Sequence, residues 1–158
     1  MTKKIFSQVI EFRGHENVLG THQNTLEVTK ESVISRRADC IIGVCASAAC
    51  ADLDQELVKH IKAGGQLQFV ITVGEFSSEF SGIGSRELEL TDPVETVLRR
   101  SSFVSPRTLA IHCDTAAIDL PRGMIKLLQN PKRRGVIEVN AIEGPSLPYL
   151  ETPTIEFA

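Results

Sequence analysis

Between residues 14 and 24 the chain gathers His15, Asn17, His22 and Asn24, including two of its four histidines. A neutral imidazole can ligate a metal, and one titrating near neutrality can carry a proton. The His-x6-His spacing differs from the i, i+4 pair of a helical zinc site, and no adjacent cysteine completes a tetrahedral set unless Cys40 folds over it. The stretch therefore reads as a loop offering polar contacts to a ligand, with hydrogen-bonded structural turns as the plainer account. No metal is assigned.

Arginines form the second candidate. Arg36-Arg37, and Arg99-Arg100 with Arg107, precede a strand in each half of the chain. The guanidinium fork matches phosphate and carboxylate oxygens. If the halves interlock, Arg37, Arg99 and Arg107 meet in a basic cradle beside Asp39, with the His15 loop as one wall. Otherwise they are solvated surface or ion pairs such as Arg37 with Asp39. Lys132-Arg133-Arg134 reads as a solvated turn.

Several chemistries lack their residues. Gly82-x-Gly84 has neither the third glycine nor the following helix of a phosphate-binding loop, and G-x-S-x-G, H-E-x-x-H and C-x-x-C do not occur. There is no Trp, Tyr149 is the sole tyrosine, and the phenylalanines read mostly as core. Base stacking is therefore disfavoured, while contact with a phosphate backbone stays open.

The elements that must position these groups follow from periodicity. Residues 6–12 read as a strand, and residues 25–29 as a half-buried one with Leu26 and Val28 inward. Residues 40–45 are continuously apolar, as in a strand covered on both faces. Leu53, Leu57, Val58 and Ile61 keep helical spacing up to Gly64-Gly65. Residues 67–73 alternate as a further strand, and residues 74–84 have room for a hairpin around Phe76 and Phe80.

The second half repeats the scheme. Residues 87–90 and 108–113 read as strands, Leu120 to Leu128 as a helix stopping before Asn130-Pro131, and Val136, Val139 and Ile142 as a closing strand. The repeat shows as Leu26-Glu27-Val28-Thr29 returning as Leu88-Glu89-Leu90-Thr91, and Ile42-Gly43-Val44 returning as Leu109-Ala110-Ile111. The offset between copies widens by five from the first match to the second. The second copy is thus expected to hold five extra residues between 92 and 106, and the His15 loop to have no counterpart. Asp52 and Asp119 stand at equivalent places just before each helix and read as N-caps rather than as a catalytic pair. Pro121 fits only a first helical turn.

The expected fold is mostly β (α+β). Two β-β-α-β units form one pseudo-two-fold closed barrel with two helices; a two-sheet sandwich with helices at its ends is the alternative. Residues 1–143 make a single pseudo-symmetric domain, with halves at about 14–74 and 82–143. Residues 144–158, with three prolines, make an extended C-terminal arm.

Composition sets the limits. The chain has 158 residues, 42% of them hydrophobic and 23% charged, within the globular range. Its net charge of −3 gives no global attraction to nucleic acid or anionic membrane. No apolar run is long enough to span a bilayer. Cys40, Cys45, Cys50 and Cys113 lack zinc-site spacing and read as free thiols, so the expected setting is the cytoplasm.

These residues also carry a likeness. Gly14-His15-Glu16-Asn17, Thr21-His22, Thr25-Leu26-Glu27-Val28-Thr29-Lys30, Asp39-Cys40-Ile41-Ile42-Gly43-Val44, Asp92-Pro93, Arg107-Thr108-Leu109 and Ala116-Ala117-Ile118-Asp119-Leu120 occur in the order that resembles archaeal domain-of-unknown-function family 371. The likeness covers about residues 8–140 and departs at Ala38, where glycine is expected. It implies an archaeal, cytosolic protein and carries over no catalytic residues. In fold, duplicated β-β-α-β units are similar to the cradle-loop barrels, whose two halves interlock into six closed strands.

The functional expectation is a non-catalytic module that binds an anionic partner, either RNA in a ribonucleoprotein or a nucleotide-like small molecule, through His15, Asn17, His22, Arg37, Asp39, Arg99 and Arg107. The alternatives are a small, metal-assisted enzyme using His15 and His22 with Asp39 in support, and a structural subunit docking through its C-terminal arm. No cofactor is implied.

Overall fold

The computed structural model describes residues 3–144. In chain order they form β1 (Lys3–Arg13), β2 (Thr25–Thr29), β3 (Ile41–Gly43), α1 (Gln55–Lys62), β4 (Gln66–Val73), β5 (Phe76–Ile83), β6 (Glu95–Arg99), β7 (Thr108–Ala110), α2 (Arg122–Leu127) and β8 (Arg134–Glu143). A short 3-10 turn precedes each helix, at Cys50–Asp52 and Ala117–Asp119. The series of three strands, turn, helix and strand therefore runs twice.

The strands make two four-stranded sheets, ordered β1-β8-β4-β5 and β3-β2-β6-β7. Each sheet mixes strands from both halves. At the middle of the second sheet β2 and β6 run antiparallel with Glu27 opposite Val97, and at the middle of the first β4 and β8 place Val70 opposite Glu138. A local two-fold axis passes through both centres. The outer pairs β2-β3 and β6-β7 are parallel, so residues 30–40 and 100–107 must cross over between them.

Side-chain alternation builds the core between the sheets. Leu67, Phe69, Ile71 and Val73 point inward from β4, Ile10 and Phe12 from β1, Ile137 and Val139 from β8, all buried. Leu26, Val28 and Leu98 answer from the second sheet, beside Leu109. Phe69 stacks on Phe80 with ring centroids 5.1 Å apart. Burying each such side chain is worth roughly 1.5–3 kcal/mol, which makes this layer the main source of stability. The β4-β5 hairpin closes through Gly74-Glu75, and Gly74 supplies the positive φ of 58° at the first turn position.

The expected closed barrel is not formed. Among the described residues the backbones of the two sheets bridge only at two corners, between Arg13 and Val44 and between Ile83 and Ile111. The next residues, Cys45 and His112, have φ of 55° and 52°, so each chain turns away before a ladder can grow. The two-sheet sandwich with two helices describes the molecule.

The repeat is also set differently from its reading in sequence. The partner of β2 is β6, and residues 87–90 are not a strand. Leu88 and Leu90 instead occupy the loop places of Val18 and Gly20. Val18 N–H donates to His15 O at 3.0 Å as Leu88 N–H does to Ser85 O at 3.1 Å, and Leu90 holds a φ of 56° where Gly20 has 58°. Thr25 at the start of β2 answers to Glu95 in β6, whereas Ile41 at the start of β3 answers to Thr108 in β7, so the offset narrows by three between them. Between β2 and β3 the first copy is therefore three residues longer, rather than five shorter. Early in the crossovers Glu31 O and Ser101 O accept from Cys45 and His112, and late in them Ala38 O and Ser105 O accept from Ile41 and Thr108. The three additional residues thus lie between 31 and 38, the stretch that holds Arg36-Arg37. The arm proposed for residues 144–158 lies outside the described residues apart from Gly144.

Candidate functional site

With Leu26 and Val28 facing the core, Thr25, Glu27 and Thr29 must face the other way. All five are nevertheless buried, because the two crossovers close over the outer side of the sheet. On β6, Glu95 and Arg99 share that face. Glu27 stands on the local axis and is 3% exposed. Its Oε1 accepts from Cys40 Sγ at 3.2 Å, at the end of the first crossover. Its Oε2 faces Arg107 Nη1 at 3.5 Å, at the end of the second, and accepts no hydrogen bond among the described residues. The same Nη1 donates to Glu95 Oε1 at 2.5 Å.

This packing sets the protonation states. Burial, and then the neighbouring Glu95 charge, push the Glu27 carboxyl up to about 7, against weaker pulls from the Cys40 hydrogen bond and Arg107. Burial, followed by the Glu27 charge, pushes the Cys40 thiol up to about 12, so the thiol stays protonated and donates. The Glu95 hydrogen bond holds Arg107 above its ordinary value.

Arg99 is handled differently. Its Nε donates to Thr108 Oγ1 at 2.7 Å and its Nη2 to Ser105 Oγ at 3.4 Å, and those two hydroxyls are themselves 2.9 Å apart. The guanidinium carbon lies 4.8 Å from the centre of the Phe103 ring. Burial, and then repulsion from Arg107, lower its affinity for its proton, though a guanidinium stays charged. Among the described residues Arg99 makes no ion pair, whereas Arg100 is bound to Asp119 and Lys30, its equivalent in the first half, reaches Asp52 at 2.6 Å.

Arg99 and Arg107, both of the second half, thus lie together. Arg37 is exposed on the first crossover, its backbone N–H donating to Ser35 Oγ at 3.2 Å; it makes no ion pair among the described residues, with Asp39 or otherwise. Asp39 contributes its carbonyl, which accepts from Thr21 and His22 N–H at 3.1 and 3.3 Å.

The histidine loop does have a counterpart, residues 84–94, and it shows what the histidines do. His22 Nδ1 accepts the N–H groups of Asn24 and Thr25 at 3.0 and 3.1 Å; in the second half Asp92 Oδ1 accepts those of Val94 and Glu95 at 2.8 Å each. His15 Nδ1 accepts from Asn17 N–H at 3.0 Å, as Ser85 Oγ accepts from Glu87 N–H at 3.1 Å. Asn17 Nδ2 donates to Ile34 O at 2.9 Å. These side chains fasten turns, and a carboxylate or hydroxyl does the same work across the axis. Among the described residues no group of three His, Cys, Asp or Glu side chains is placed to hold a metal.

Asp52 and Asp119 are not the helix N-caps expected of them: each is the last residue of its 3-10 turn and its carboxylate accepts from Ala49 or Ala116 N–H, at 3.0 and 2.9 Å, while Asp54 caps α1 and Pro121 holds the N-cap place of α2. These bonds and the Lys30 and Arg100 partners hold both carboxyls below the usual range; for Asp52 the Lys30 contact leads, for Asp119 the backbone bond.

At one corner between the sheets a cavity of about 450 Å³ is lined by Lys4, Gln66, Gln68, Ser81, His112 and Asp114. Its polar groups are largely engaged: Asp114 Oδ1 takes Ser81 N–H, Gln68 Oε1 takes Asn140 Nδ2, and Lys4 pairs with Glu138. The twin corner, with Arg13, Cys45 and Ser47, holds about 210 Å³. No helix of the described residues is long and apolar enough to cross a membrane.

A family model described as "Domain of unknown function (DUF371)" matches residues 10–142, which contain every element from late β1 to the end of β8 but for one residue. The chain belongs to this family. Among curated proteins it is 33% identical over 124 residues to an uncharacterised protein of the archaeon Methanocaldococcus jannaschii, an alignment spanning 78% of this chain and 92% of the relative. For the DUF371 chain this supports the archaeal origin implied by its motifs and assigns no activity.

Sequence reasoning missed Glu27, Cys40, Glu95 and Phe103. The alternation of residues 25–29 points Glu27 away from the core, but nothing in it tells that two crossovers bury that face.

Proposed function

We propose that the chain is a non-catalytic binding module for an anionic, phosphate-bearing partner, RNA or a nucleotide-like molecule, met at the two crossovers around Arg99. The observation that carries this reading is a cation held in place by two hydroxyls and an aromatic ring, with no carboxylate paired to it among the described residues. Guanidinium groups fixed in this way lose little freedom on engaging a phosphate. The first crossover ends at the same Glu27 as the second and carries two further exposed cations, Arg36 and Arg37. In a chain of net charge −3 such a face offers local rather than global attraction. Four free thiols support a reducing, cytoplasmic setting.

The test is filter binding of RNA oligonucleotides at several salt concentrations. Phosphate contacts give an inverse dependence of affinity on salt, which becomes shallower by about one unit of slope when one contact is removed. Arg99→Ala and Arg37→Ala are expected to flatten it, and a response to neither, with weak salt-independent binding, rejects the proposal.

A further inference from the structure

We infer that the Phe103 ring is a stacking platform for an unpaired base, which makes the anionic partner a single-stranded nucleic acid. The inference rests on the binding reading above and adds the part of the partner that is not phosphate.

Phe103 is 60% exposed, whereas most other large apolar side chains among the described residues are buried. One side of its ring is backed by the Arg99 guanidinium, which the Thr108 and Ser105 hydroxyls hold from beneath. The backbone is pinned as well, since Phe103 N–H donates to Ser101 Oγ at 3.2 Å. A ring so fixed loses little entropy on being covered, and its exposed side can take a flat apolar surface. Base faces supply such a surface without regard to sequence. In a duplex those faces are stacked on one another, so an unpaired base is needed to offer one. The guanidinium behind the ring adds charge for the strand's phosphates.

The local axis supplies a comparison within the molecule. Val33 holds the equivalent place on the first crossover and is 71% exposed. The two copies have diverged at this face, one gaining Arg36-Arg37 and the other an aromatic ring.

The chain contains no tryptophan, so Phe103→Trp introduces a single fluorophore at the platform. The probes are 12-nucleotide oligo(U) and oligo(A), a 12-base-pair duplex, and inorganic polyphosphate. Stacking predicts that both oligonucleotides quench this tryptophan strongly, while polyphosphate and duplex do not. Phe103→Ala is expected to weaken oligonucleotide binding about 5- to 150-fold and to leave the salt slope unchanged, with Phe103→Trp binding at least as well as the native chain. If Phe103→Ala leaves affinity intact while Arg99→Ala flattens the salt slope, the platform is wrong and the anion reading stands. Duplex or polyphosphate binding as tight as the single strands also overturns the platform. Failure of every probe to bind overturns both.

Discussion

Arg107 Nη1 lies 3.5 Å from Oε2 of Glu27, a buried carboxyl oxygen that accepts no hydrogen bond among the described residues. Its shorter contact is with Glu95, so one guanidinium serves two carboxylates and satisfies the buried one least.

Glu27 therefore ties stability to pH. Its ordinary value is 4.5 and the fold raises it to about 7. Between those values the native state keeps a proton that the unfolded chain has released, so stability falls as pH rises through the window and levels off above it. Asp52 and Asp119, held low, act in the opposite sense, but only as pH falls below their ordinary value of 3.8. Urea midpoints are expected to be higher at pH 5 than at pH 8, with Glu27→Gln removing most of the difference. A native midpoint rising across the window would contradict the assignment.

Removing the shared cation exposes the same coupling. Arg107→Met leaves Glu27 and Glu95 without their counter-charge, and breaking such pairs costs up to about 3–5 kcal/mol when both partners are buried. Arg107 is 42% exposed, so solvent screens the loss. The expected cost is about 1–3 kcal/mol at pH 8 and clearly less at pH 5, where Glu27 is protonated. Equal losses at both pH values would count against charge as the cause.

Thiol reactivity should separate the four cysteines. Burial pushes Cys50 and Cys113 up to about 12, as it does Cys40, and removes the first two from solvent, whereas Cys45 is exposed. Brief alkylation of the native protein at pH 8, read by mass spectrometry of its peptides, is expected to modify Cys45 first and to spare Cys50 and Cys113. Simultaneous labelling of all four would show that the crossovers and core open readily.

Two equivalent glycines mark where strand ends press on helix ends. A Cβ on Gly14 would sit 2.3 Å from Leu128 O, and one on Gly84 would sit 2.0 Å from Ile61 O. Backbone oxygens cannot swing aside, so Gly14→Ala and Gly84→Ala should each cost about 1–3 kcal/mol through forced displacement, measured as lowered urea midpoints. Either change leaving the midpoint unaltered would mean the helix ends are loosely seated.

Much of this architecture was legible in the residues. Strict alternation at 66–73 and helical spacing at Leu57 and Ile61 report a side of contact, and contact with the core is what periodicity records. Strand β6 went unread because Thr96, Val97 and Leu98 are all buried and carry no alternation. The short run around Leu88-Glu89-Leu90-Thr91 imitated β2 in letters alone, since its two leucines are buried in a loop rather than a strand. Of the site, Arg99 and Arg107 were visible as a residue type suited to anions. Their neighbours were not, because the closeness of Glu27, Cys40, Glu95 and Phe103 arises from two crossovers folding over one face, a long-range event without local pattern. The histidines left two readings open in sequence, and the fold displays the turn-fastening one: a ring nitrogen and a carboxylate oxygen accept the same turn amides in the two copies of the loop.

The Glu27–Val97 pairing shows what joining two copies in one polypeptide permits. In a symmetric dimer of identical subunits, a residue standing on the axis is obliged to confront itself, and a glutamate there would meet a second glutamate in a dry interior. A covalently linked pair escapes that obligation: one side keeps the acid while the other presents a hydrocarbon. A lone acid at the very centre of the assembly, with no like carboxyl to share its proton, becomes possible once the two sides can mutate independently.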